Sequence, residues 1–175
     1  MKADETNRMD LAGWPLPDAF LVELGRVSAL WAALEALLML SLSRLSGFSD
    51  PNNPVPFILV AHSSFPQRLD MLGTLCEQLT PQHPHLSDCS SVATKLRAAQ
   101  RLRNRYLHNG LSPNPETGEI EITEGSARGK VKVSIERVSV ADIQAASFEI
   151  HEAHRALAFL VFRTELPARA AAQSA

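Results

Sequence analysis

The chain has 175 residues, 45% of them hydrophobic and 21% charged, which is ordinary usage for one folded domain with a sizeable core. With 17 Lys and Arg against 19 Asp and Glu the formal charge is −2, so whole-molecule attraction to nucleic acid is excluded and any basic site must be local. Two cysteines, Cys76 and Cys89, are too few for a disulfide framework and lack the paired spacing of a zinc site, so reduced thiols in a cytoplasmic protein without metal or cofactor are expected.

In chain order, residues 1–16 form an acidic, polar arm that lacks the apolar core of a secretion signal and closes on Trp14-Pro15-Leu16-Pro17. A first helix is predicted over Pro17–Leu45, stopped by Gly47. Its apolar run Ala29–Leu42, about 14 residues with Glu35 inside, is short for an uncharged membrane span. Leu30, Leu34, Leu37, Leu38 and Leu45 fall at helical spacing and Ala32, Ala33 and Ala36 widen that surface, so the helix should be covered on most sides. Phe48–Pro56 reads as a loop, Phe57–Ala61 as a short apolar turn, and Ser63-Ser64-Phe65-Pro66 as the capped start of a second helix running through Leu79. His83-Pro84-His85 lies in the loop that follows.

A third helix should start near Ser87-Asp88 and stop at Asn109-Gly110. Alternation at Ile120 and Ile122, then at Val131, Val133 and Ile135, predicts a β-hairpin over about residues 119–136. The last helix should begin at Ser139 or Asp142 and end before Pro167, leaving a frayed tail over 167–175. The economical architecture is an all-α bundle of four main helices, residues 17–166, with the hairpin inserted before the last one and leaning on the bundle or on a partner subunit.

The third helix carries the chemistry. Lys95, Arg97, Arg101, Arg103 and Arg105 place five cations in eleven residues, and no acid interrupts between Asp88 and Glu116. At its end stands Arg103-Asn104-Arg105-Tyr106-Leu107-His108-Asn109. This stretch resembles the motif of the HEPN domain family (higher eukaryote and prokaryote nucleotide-binding): an Arg, a polar residue that is often Asn, and a His a few residues on. Arg103, Asn104 and His108 match it, and Arg101 fits the looser spacing. The resemblance implies a metal-independent endoribonuclease, often a toxin or defence effector, built as a homodimer with two motifs facing each other. A nucleotidyltransferase-like antitoxin is the partner such a toxin would take, and the family also holds inactive members that resemble mannitol repressors.

The physical requirements stand beside the name. Cleaving RNA without a metal needs a proton acceptor or donor that works near neutral pH and a fixed cation for the charge developing on phosphate. His108 fits the first role, Arg103 or Arg101 the second, and Asn104 lies one turn before His108, where it can position the imidazole or touch substrate. Arg97, Arg101 and Arg105 are the expected RNA phosphate contacts. On a helical wheel, however, Arg103 and His108 diverge by about 140°, whereas Arg97, Arg101, Asn104 and His108 share one face, and Arg103 would converge on His108 only if the helix loosens before Asn109-Gly110. Arg103 falls on the apolar side, where a structural pair with Glu35, the lone acid of the apolar run, is the competing expectation.

The remaining candidates are weaker. Arg128, Lys130 and Lys132 extend a basic track or guard a strand edge equally well, and Tyr106 reads as core. His151, Glu152 and His154 sit at helical spacing without a third fixed ligand, so surface histidines are expected. Signatures of phosphate-binding loops, serine esterases and the common metalloproteases are missing from the sequence.

Overall fold

The computed structural model describes residues 16–48, 50, 52–126, 129 and 131–163. The expected arm, apart from Leu16, and the tail lie outside them, as do Arg128 and Lys130. The described residues are mostly helical, with one small antiparallel sheet. The elements are α1 (Asp18–Leu45), α2 (Val55–Val60), α3 (Phe65–Leu79), α4 (Cys89–His108), β1 (Gly110–Pro113), β2 (Ile120–Ser126), β3 (Lys132–Arg137) and α5 (Val140–Phe162), with a 3₁₀ turn at Pro84–Asp88 before α4.

Local chemistry explains most boundaries. Ser64 and Gln67 bond reciprocally across the first turn of α3, and Ser139 and Asp142 do the same for α5, so each helix begins on a complete capping box. At the end of α1 the chain turns through Gly47 at φ +84°, where the backbone N–H groups of Ser46, Gly47 and Phe48 close back on the last carbonyls. The apolar turn expected at Phe57–Ala61 is the helix α2, starting at Val55.

The helices α1 and α5 run parallel. Gln144, in the first turns of α5, donates to Glu23 near the start of α1 at 3.0 Å, and at the far ends Arg44 lies 5.2 Å from the Phe162 ring centroid. Val27, Leu34 and Leu38 of α1 share one core with Leu69 and Leu72 of α3, Leu96 of α4, and Ile143, Ile150 and Leu157 of α5. Burying such a side chain contributes roughly 1.5–3 kcal/mol, so this shared core holds the bundle together. Trp31 packs on Phe65 with ring centroids 4.6 Å apart. Cys76 and Cys89 lie buried between α3 and α4, where the neighbouring Cys89 and then burial push the Cys76 thiol up.

Two expectations about α1 change. It has 28 residues, enough in length and hydropathy to cross a membrane, yet one side of it lies in the bundle core. It is also less covered than expected: Ala32, Ala33 and Ala36 are exposed and only Leu34, Leu38 and Leu45 of the five leucines are fully buried. The alanines widen the apolar face without being needed to fill the core.

The expected hairpin is the outer part of a three-stranded sheet in the order β1-β2-β3. Strand β1 follows α4 after the single residue Asn109, whose backbone is already extended. Asn114 then organises the β1–β2 turn: its Oδ1 accepts from the N–H groups of Glu116 and Thr117, and Gly118 takes φ +72°. Ile120, Ile122 and Val138 seat the sheet on the helices, and Ile122 is fully buried.

Candidate functional site at the C-terminal end of α4

Arg103, Asn104 and His108 come together on the last turns of α4. Arg103 is half-buried, its guanidinium 5.6 Å from the centroid of the Trp31 ring, a distance at which the ring face attracts a cation. Its Nη1 donates to Asn104 Oδ1 at 3.0 Å and meets Nε2 of His108. A guanidinium carries only donors, so in this contact Nε2 of His108 takes the acceptor's part. Asn104 and His108 are both exposed, which makes this a surface site that an extended strand can approach.

Two expectations are corrected. Arg103 and His108 do not diverge, although α4 stays helical through His108. The rise between them is only about 7.5 Å, helical side chains lean toward the N-terminus, and a long arginine side chain spans the remaining angle. The expected Arg103–Glu35 pair is not formed: Arg103 lies against Trp31, and Glu35 is half-buried without an ion-pair partner among the described residues. The deeply buried acid of α1 is Glu23, 5% exposed, which accepts from Arg26 at 2.6 and 2.7 Å and from Gln144.

The other cations separate. Nη2 of Arg105 donates to Glu136 of β3 at 2.5 Å, and its Nε lies 3.0 Å from a Glu124 carboxylate oxygen of β2, close but too misaligned for a hydrogen bond. Glu136 holds the Arg105 guanidinium further above its already high pKa. Two carboxylates thus meet the charge of Arg105, which leaves little of it for a phosphate. Arg97 lies 3.7 Å from Asp70 of α3, a loose exposed pair. Arg101 is exposed and, among the described residues, has no hydrogen-bond or ion-pair partner. Tyr106 is buried, and burial raises its phenol pKa, in keeping with the core role expected of it.

Sequence reasoning missed Trp31, Glu124 and Glu136. Trp31 shares a helical face with Val27 and Leu34 and reads as ordinary core, while the acids lie on strands whose pairing sets which way each side chain points. On α5, Glu152 accepts from Arg155 at 2.9 Å and lies 4.0 Å from His151. Burial, then the neighbouring His151, lowers the pKa of His154. Among the described residues no group of three or more His, Cys, Asp or Glu side chains is placed to hold a metal ion.

No protein family, curated protein or solved structure matches this chain.

Proposed function

We propose that the protein is a HEPN-like, metal-independent endoribonuclease of the toxin or defence type, working in the cytoplasm as a homodimer. The observation that carries this reading is the contact of Arg103 with both Asn104 and His108 on an exposed helix end. In the reaction, the ribose 2′-hydroxyl oxygen attacks the adjacent phosphorus and the bond to the 5′ oxygen breaks. His108 Nε2 takes the 2′ proton or, as the imidazolium, gives one to the leaving oxygen. Arg103 turns from His108 to the scissile phosphate, which both frees Nε2 and places positive charge where negative charge develops. Asn104 positions Arg103 through its Oδ1, and Arg101 and Arg97 contact flanking phosphates.

A second reading is a catalytically inactive HEPN-like binding or regulatory scaffold. It is favoured by the seat of Arg103 against Trp31 and by the bond of Arg105 to Glu136 beside Glu124, both of which give arginines of this run structural work. Cleavage of a broad RNA panel in EDTA by wild type, His108→Ala, Arg103→Ala and Arg101→Ala, with circular dichroism on each, separates the two. Cleavage lost in folded His108→Ala and Arg103→Ala supports the ribonuclease. Intact RNA with wild type, together with melting of the bundle in Arg103→Ala, supports the scaffold. A nucleotidyltransferase-like antitoxin is the partner to test if cleavage is found.

A further inference from the structure

Strand β3 is exposed along its whole length. Its cross-strand pairs place Glu136 on the face of buried Ile122, so Val133 and Ile135 lie on the opposite, solvent face, where they are 63% and 62% exposed, with Val131 just before the strand at 82%. The N–H of Val138 donates to the Ile120 carbonyl at 2.8 Å, which makes that pair a hydrogen-bonded one. Counting back by the antiparallel alternation, Lys132, Ser134 and Glu136 direct their backbone groups to β2, while Val133, Ile135 and Arg137 direct theirs outward. Among the described residues no strand pairs with this edge. Lys132, Glu136 and Arg137 put charge on this edge, of the kind that guards edges in other proteins, yet Val131, Val133 and Ile135 leave apolar surface beside its open backbone groups.

We infer that the β3 edge is a self-association surface, whose occupant is β3 of a second copy of this chain, joined antiparallel about a two-fold axis at Ser134 into a six-stranded sheet. Charge complementarity selects that register. With the axis at Ser134, Lys132 of each copy faces Glu136 of the other, Val133 faces Ile135, and the outward backbone groups of Val133 and Ile135 bond each other. Moving the axis to Val133 or Ile135 sets Lys132 against Ser134 or Val138 and removes both ion pairs within the strand. Glu136 remains available because Arg105 engages one of its oxygens and its side chain is 53% exposed. The arrangement is self-complementary, as a two-fold interface requires. It does not depend on whether Arg103 and His108 cleave RNA.

The test is sedimentation equilibrium of the full chain from about 5 to 200 µM, a range that brackets weak standard-size association, with three kinds of variant. Wild type should dimerise reversibly. Ile135→Pro removes an outward N–H without touching the β2 ladder, so it should abolish the dimer at unchanged helicity. Lys132→Glu should weaken dimerisation at least 10-fold, and adding Glu136→Lys should restore it in an Arg105→Met background, where no cation opposes the new lysine. Ser134→Cys places two thiols at a non-hydrogen-bonded pair, with Cα atoms about 4.5 Å apart. Mild oxidation should therefore give a crosslinked dimer, and Thr123→Cys on β2 should give none. A monomeric wild type, a dimer indifferent to Ile135→Pro, a charge swap without rescue, or a dimer broken by Val22→Glu or Phe148→Glu on the exposed α1 and α5 faces instead would each overturn the inference.

Discussion

Arg103 and Arg105 stand two residues apart on the same helix and end in opposite circumstances. Arg105 reaches the sheet, where Glu136 accepts from it at 2.5 Å and Glu124 lies 3.0 Å away, and becomes a strut between α4 and the strands. Arg103 points the other way, meets no acid among the described residues, lies against Trp31 and touches Asn104 and His108. One residue type in one charge run therefore supplies both a neutralised tie and a cation whose charge no carboxylate among the described residues cancels. A run of basic residues says little about function until the acids around each member are located.

The largest effect should come from the seat of the free arginine. Trp31→Ala removes a buried ring that packs on Phe65 and faces Arg103, and should cost about 3–5 kcal/mol in denaturant unfolding. Next, His108→Ala should reduce RNA cleavage about 100-fold or more while the melting temperature stays within a degree or two, because the side chain is exposed and general acid–base catalysis is worth that much. Arg105→Met inverts the pattern, with a loss of about 1 kcal/mol in stability and cleavage within about threefold of wild type. Equal losses of cleavage in Arg105→Met and Arg103→Ala, with both folded, would erase the distinction between the two arginines.

The smallest effect is a pH dependence located away from the site. His154 is held below its ordinary value of 6.5 by burial and by His151, so the unfolded chain binds that proton more readily. Stability from this group is complete above that value and declines as pH falls below it. Asp142 is held below its ordinary 3.8 by its bonds with Ser139, and its contribution is present above that value and lost as pH falls through the lowered one. Urea midpoints from pH 8 to 3 should show both declines, with His154→Gln flattening the upper one.

What was legible in the sequence is what short segments determine. The caps at Ser64 and Ser139, the stop at Gly47 and the end of α4 at Asn109-Gly110 all rest on residues within a turn of one another. Strand β1, of four residues and ending in proline, carries no alternation long enough to read, although Asn114 and Gly118 mark its turn. The partners of charged residues were illegible for a different reason. Periodicity identifies which face a residue occupies, but the buried acid proved to be Glu23 and not Glu35 because Gln144, 121 positions away, meets it there. The wheel that separated Arg103 from His108 treated side chains as points on a cylinder, and an arginine is long enough to defeat that approximation.

The junction between α4 and β1 also governs stiffness. Asn109 is the only residue between helix and strand, and its side chain donates back to the Arg105 carbonyl at 3.0 Å. Arg105 in turn fastens the neighbouring strands, so the sheet is attached to α4 twice, through the chain and through a side chain. The sheet is therefore held to the helix end that bears His108 both by the chain and by the Arg105 side chain.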